Sequence, residues 1–286
     1  MMPAIAPDHL EDSYRHCESI ARRSNFYNGF RLLPPAKRRA LSAVYAFMRQ
    51  CDDISDDDGS MPEKRQQFQN WRAQFEAVMR GEPTPHAILP AFGHTVQRFK
   101  IPVEYFHKLI DGTEMDLTTT RYSTFDELYD YCFHVASIVG LVCLHIFGFR
   151  QERAKTCAEA CGIAFQLTNI LRDIKEDLQR DRIYLPLEDL RRFGYSEYDL
   201  RREVMDDRFR TLMAFEVARA RRYYASARPL VGFIERNSRP AFWTMYESYN
   251  TILNHIEACR YDVFSVRAKL NPRDAFTIIL KALLKW

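Results

Sequence analysis

Two acidic clusters, each set in an amphipathic helical stretch, constrain this chain more than any other feature. The first is Asp52-Asp53-Ile54-Ser55-Asp56, and the second is Asn169-Ile170-Leu171-Arg172-Asp173-Ile174-Lys175-Glu176-Asp177. Residues four apart on a helix share a face, with Cβ atoms roughly 5–6 Å apart. Asp52 and Asp56 therefore point one way together, and so do Asp173 and Asp177. Carboxylates held that close repel unless a cation lies between them. Mg²⁺ suits the place, because it takes a carboxylate or two, several waters and phosphate oxygens. Two such helices set face to face would make a magnesium-lined mouth for a diphosphate.

The rest of the chain agrees with an all-α fold. Only 10 of 286 residues are glycine, about half the usual share of roughly 7%, and strands joined by tight turns would need more. No composition break marks a linker, since Gly81-Glu82-Pro83-Thr84-Pro85 is only turn-length, so a single domain over residues 1–286 is expected. A net charge of +3 with 28% charged residues argues neither for a nucleic-acid nor for a polyacidic partner, and no nucleic-acid partner is expected. The pairs Arg191-Arg192 and Arg201-Arg202, and the run Arg219 to Arg222, read as solvated helix faces. Seven cysteines without a CxxC pair, and no basic-then-apolar start, suggest a reduced, cytoplasmic protein.

Helical periodicity runs almost end to end. Helices are expected at about 9–23, from Pro35 to the acidic run 56–58, from Pro62 to Arg80, at 85–99, 103–118, from the Ser123 to Glu127 cap to about Phe149, and at 151–178. Two short pieces lead to long helices at 207–236 and 239–264, and a last one spans 272–285. The apolar run Ala136 to Phe149 is shorter than the roughly 20 residues that span a bilayer, and reads as a core helix. The expected architecture is a helical bundle around a central cavity. The last helix, Ala275 to Trp286, mixes apolar residues with lysines; it suits either core packing or a peripheral membrane contact, on the inner face of the membrane.

Around the clusters, Tyr45 and Arg49 lie seven and three residues before Asp52, placing phenol, guanidinium and carboxylate on one face. Gln166, Asn169, Asp173 and Asp177 form a continuous polar stripe on an otherwise apolar helix. Buried polar groups without partners are costly, so such a stripe points at a ligand or metal, with Arg172 beside it for a phosphate oxygen.

The segment Tyr45 to Asp56 resembles the first aspartate-rich motif of the squalene/phytoene synthase family. Gln166 to Asp177, continuing into Arg182-Ile183-Tyr184-Leu185-Pro186, resembles its second motif almost position for position. Gly112-Thr113-Glu114-Met115-Asp116-Leu117 and Tyr131 to Gly140 look like further landmarks, and the resemblance runs from about Ser24 to Arg267. It implies an isoprenoid-synthase bundle that joins two allylic prenyl diphosphates head to head through a cyclopropylcarbinyl diphosphate. By the same matching, Asp52, Asp56, Asn169, Asp173 and Asp177 would hold Mg²⁺. Tyr45, Arg49, Gln166, Arg172, Tyr249 and Arg267 would contact diphosphate, and Tyr131 falls where the family places a catalytic tyrosine.

Ser24, Asn25 and Phe26 match the start of the family pattern, although many relatives carry a basic residue just before the Ser/Thr-Phe pair. Asn25-Phe26-Tyr27 looks like the bacterial squalene-type branch, so two farnesyl diphosphates joined to presqualene diphosphate is the expected reaction. Two geranylgeranyl diphosphates joined to phytoene is the alternative. Phe26, Tyr27 and Phe30 are candidate cavity walls, and the 136–149 segment a candidate tunnel wall. No GxGxxG follows a strand, so NADPH is not supported, and no long C-terminal anchor like that of eukaryotic squalene synthases is expected. Downstream isoprenoid enzymes are candidate partners. An all-α nucleotide pyrophosphatase would show a polar base pocket instead of an apolar tunnel. A non-catalytic helical assembly factor would have lost aspartates that are intact here.

Overall fold

The computed structural model describes residues 7–24 and 26–286; Asn25 lies outside the described residues. The longer helices are α1 (Pro7–Ala21), α2 (Pro35–Asp56), α3 (Met61–Met79), α4 (Leu89–Arg98), α5 (Val103–Met115), α6 (Phe125–Phe147), α7 (Arg153–Arg172), α8 (Asp207–Ala227), α9 (Arg239–Ala258) and α10 (Pro272–Lys285). Among the described residues there are two isolated β-bridges and no strand.

Helix α2 is held by one face and works with the other. Phe47, Cys51 and Ile54 are buried. Phe47 stacks on Phe92 of α4 at 4.2 Å between ring centroids and meets Trp71 and Phe75 of α3 and Phe106 of α5 at 5.0–5.5 Å. Burying one such ring stabilises the fold by about 1.5–3 kcal/mol. The opposite face carries Leu41, Tyr45, Met48, Asp52 and Asp56 into a cavity.

Helices α6 and α7 cross at unusually close range because small residues meet there. A Cβ on Gly162 would lie 2.5 Å from the backbone of Ala136 and Ser137, and one on Gly140 2.5 Å from the carbonyl of Ala158. The Ser137 hydroxyl donates to the Glu159 carbonyl at 2.9 Å. A π-turn at Phe133–Ser137 interrupts α6 at this crossing, a feature often found near functional sites. Among the described residues, α6 is the one helix long and apolar enough to cross a membrane; half of its apolar stretch is buried, and it serves here as a core helix.

Several helix ends differ from the periodicity. The stretch expected to run 207–236 stops at Ala227, two residues before Pro229, which cannot donate an amide to the ladder. The 151–178 helix breaks at Asp173, whose backbone leaves the helical region before a short helix Ile174–Gln179. Arg219 is no solvated-face residue. It is buried, donating to Glu216 at 2.6 and 2.7 Å and to Asp189 at 2.8 Å, with its guanidinium 4.1 Å from the Phe125 ring centroid.

Candidate active site

The two acidic clusters, more than a hundred residues apart in sequence, open onto one cavity of about 640 Å³. Arg180, just after the second cluster, donates to Asp56 of the first at 2.9 Å. Every described site candidate from the sequence lines this space: Ser24, Phe26, Tyr45, Arg49, Asp52, Asp56, Tyr131, Gln166, Asn169, Arg172, Asp173, Asp177, Tyr249 and Arg267. Of the three candidate wall aromatics, Phe26 and Phe30 line it. Tyr27 does not; its ring meets the edge of Phe30 at 6.4 Å.

The cavity is polar at one end and apolar at the other. At the polar mouth, Arg172 and Arg267 both bind the carboxylate of Asp173, with Arg267 at 2.7 and 2.8 Å. Arg49 is drawn to Asp53 at 2.6 Å. Phe26, Tyr249 and Phe165 form a stack, 5.1 Å and 4.4 Å between successive centroids. Tyr249 lies within the field of the Arg172 guanidinium. Deeper, the wall passes to Val135, Val139, Cys143, Phe147, Leu230 and Phe242.

The electrostatics of the mouth favour a cation. Burial, and then the neighbouring charges of Asp56, Asp116 and Asp53, push the Asp52 carboxyl up to about 7 against the opposing pull of Arg49. Asp52 is open to water in the mouth, which moderates that push. Asp177 is likewise pushed up to about 7 by burial, Asp173 and Asp116. The Oδ1 of Asn169 is buried with no hydrogen-bond partner, an oxygen donor left open beside the acids. No three acidic, histidine or cysteine side chains among the described residues converge into a self-contained cation cage. This donor set fits Mg²⁺ best if phosphate oxygens and water complete its coordination.

Asp116 is a site residue that local spacing does not single out. It is half-buried at the end of α5 with its carboxyl pushed up by loss of water, and it accepts from Tyr184 at 2.9 Å and from Tyr131 at 3.2 Å. Tyr131 and Tyr184 are stacked, 5.2 Å between centroids, and burial raises the Tyr131 phenol well above its ordinary range. Arg180, Arg182 and Tyr184 also line the cavity. The motif landmarks containing Asp116, Arg182 and Tyr184 were visible in the sequence, but not the bonds joining them.

The match to known proteins follows the same boundaries. Residues 21–274 match the family model described as squalene/phytoene synthase. The chain belongs to this family. It is a prenyl transferase of the squalene/phytoene synthase type, with the all-α isoprenoid-synthase fold. It is 39% identical over 273 residues to the 15-cis-phytoene synthase of Synechocystis sp., covering 91% of this chain and 81% of that one. It is 38% identical to the phytoene synthase of Arthrospira platensis, with 92% and 89% covered. Among solved structures, a dehydrosqualene synthase superposes with TM-score 0.90 at 26% identity over 97% of each chain. The squalene synthase of Alicyclobacillus acidocaldarius superposes with TM-score 0.83 at 28% identity, covering 90% of this chain and 97% of that one.

Proposed function

We propose that the protein condenses two geranylgeranyl diphosphates head to head to phytoene, the alternative reading of the sequence in preference to the farnesyl one. The observation that carries it is a deep apolar wall with a cation-seeking mouth, on a chain whose relatives at 38–39% identity are named phytoene synthases. Along α6 the lining runs from Val135 to Phe147, a rise of about 18 Å at 1.5 Å per residue. An extended geranylgeranyl tail is on the order of 20 Å, and a farnesyl tail about 15 Å, at ordinary carbon–carbon bond lengths. Ala136, Gly140, Ala158 and Gly162 keep that wall free of bulk.

In this reading Asp52, Asp56, Asn169, Asp173 and Asp177 hold Mg²⁺, which when bound neutralises the charge of the leaving diphosphate. Arg172 and Arg267 exchange Asp173 for phosphate oxygens, and Arg49, Tyr45 and Gln166 orient the diphosphates. Ser24 and Phe26 close the mouth against water. The aromatic faces of Phe26, Phe165 and Tyr249 stabilise the allylic cation. Tyr131, held by its hydrogen bond to Asp116, is placed to give its phenolic proton to a departing diphosphate oxygen, with the Arg182 guanidinium offsetting the charge left on the phenol oxygen. Phytoene arises by loss of a proton, so the route needs no hydride and no NADPH. A hydrocarbon product suits a peripheral membrane site and hand-over to later isoprenoid enzymes.

The test is to incubate the pure protein with Mg²⁺ and either farnesyl or geranylgeranyl diphosphate, with and without NADPH, and identify products by mass. Phytoene from the longer substrate without NADPH is expected. Faster formation of presqualene diphosphate or squalene from the shorter one would restore the farnesyl reading.

A further inference from the structure

Helix α10 buries one face and leaves an equally apolar one open. Ile278 and Ala282 pack inward on α9. Phe276, Leu280, Leu283 and Leu284 are exposed, Phe276 by 68% and Leu284 by 80%, and they account for most of the large exposed apolar side chains among the described residues. At 3.6 residues per turn those four fall within an arc of about 100°, diametrically opposite the buried pair. The stripe is about 12 Å long at 1.5 Å per residue. A contiguous open apolar face of this kind is unusual on a water-exposed surface.

The helix is not loosely attached. Its N-cap Asn271 accepts from the Asp274 amide at 2.8 Å, Asp274 pairs with His255 of α9 at 3.1 Å, and Lys285 lies 4.0 Å over the Trp243 ring. These contacts run α10 antiparallel along α9. Its Leu283–Lys285 tip sits at the start of α9, the turn whose Phe242 lines the apolar end of the cavity. The diphosphate mouth, at Tyr249 and Arg172, is farther along α9.

The charges that border the stripe are cationic. Arg273, one turn before Phe276 on the same face, and Lys281, beside it, stand against a single acid in α10, Asp274, which is engaged by His255; Lys285 is turned to the Trp243 ring. An apolar stripe bordered by basic side chains fits a bilayer with anionic headgroups, where the leucines enter the acyl boundary and the cations stay with the phosphates.

We propose that α10 docks the protein on an anionic lipid bilayer through Phe276, Leu280, Leu283 and Leu284, with the apolar end of the cavity beside the membrane. The docking stands on the helix itself; its use, passing prenyl tails between bilayer and cavity, rests on the prenyl-transfer reading. The test is flotation of the full chain with phosphatidylcholine vesicles with or without phosphatidylglycerol, in the absence of substrate. The wild type should float with the anionic vesicles and less with the neutral ones. Leu280→Ser/Leu284→Ser, on exposed positions, should keep its circular dichroism and lose on the order of tenfold in partitioning. Phe276→Trp, which keeps the stripe apolar, should shift its emission to the blue when vesicles are added.

Equal flotation of wild type and the double variant, or no flotation of the wild type, overturns the proposal. So does a wild-type dimer that the double variant dissolves without any vesicle binding, since that assigns the stripe to a second copy. Because flotation needs no turnover, an inactive protein that still floats through this stripe would overturn the reaction alone.

Discussion

Substituting Gly162 with alanine tests how far the site depends on the helix crossing beneath it. The added Cβ would sit 2.5 Å from three backbone atoms of α6, the carbon and oxygen of Ala136 and the Cα of Ser137. An ordinary contact needs about 3.5 Å, so α6 and α7 must separate by roughly 1 Å. The obstacle is backbone, and no side chain can swing aside to relieve it. Overpacking of this kind costs typically 1–3 kcal/mol, and rigid backbone puts it at the upper end. Alanine returns about 1 kcal/mol as the better helix former. The net expectation is a loss of about 2 kcal/mol, read as a shifted urea midpoint with unchanged slope. The same displacement reaches Asn169 and Asp173, two and three turns along α7, and an error of about 1 Å at reacting groups is worth on the order of 10² in rate. Turnover should thus fall far more than stability explains. A Gly162→Ala protein as stable and as active as the wild type would refute the close-crossing account.

Three further outcomes follow from the same geometry. Asp173→Ala removes a proposed cation ligand and the shared partner of Arg172 and Arg267; turnover with prenyl diphosphate should nearly vanish at saturating Mg²⁺ with helicity intact by circular dichroism, and near-normal activity would sink the paired-cluster mechanism. Tyr131→Phe keeps the ring and loses the bond to Asp116, which stays bonded to Tyr184; stability should drop by only about 0.5–1.5 kcal/mol, while the rate should fall on the order of 10²–10⁴ if Tyr131 passes a proton, and a stable variant within a few-fold of wild type leaves it a ring role alone. Glu216 is pushed up to about 8 by burial and by Asp189, against the pull of Arg219. The unfolded carboxyl ionises near 4.5, so the folded chain binds the extra proton between those values and stability falls as pH rises through that window. Glu216→Gln should flatten the slope of melting temperature between about pH 5 and 8, and an unchanged slope would contradict it.

Much of the site was legible from local spacing. Asp52 with Asp56, and Gln166 through Asp177, lie on helices whose period is fixed by backbone hydrogen bonding, so the sequence alone determined which of these side chains share a face. It determined the all-α class as well, because apolar residues recur at helical intervals with few glycines to turn strands. The tertiary structure alone decided what those faces meet. That Arg180 reaches Asp56, that Asp116 ties Tyr131 to Tyr184, and that Arg219 is buried between two acids depend on how helices distant in sequence cross. Crossing distance is set by side-chain volume at the contact, as at Gly140 and Gly162, and a one-dimensional period carries no record of its partner's surface. The same holds for α10, whose two apolar stripes look alike in sequence. Only packing on α9 determined that Ile278 and Ala282 face inward and left Phe276 and Leu284 to the outside.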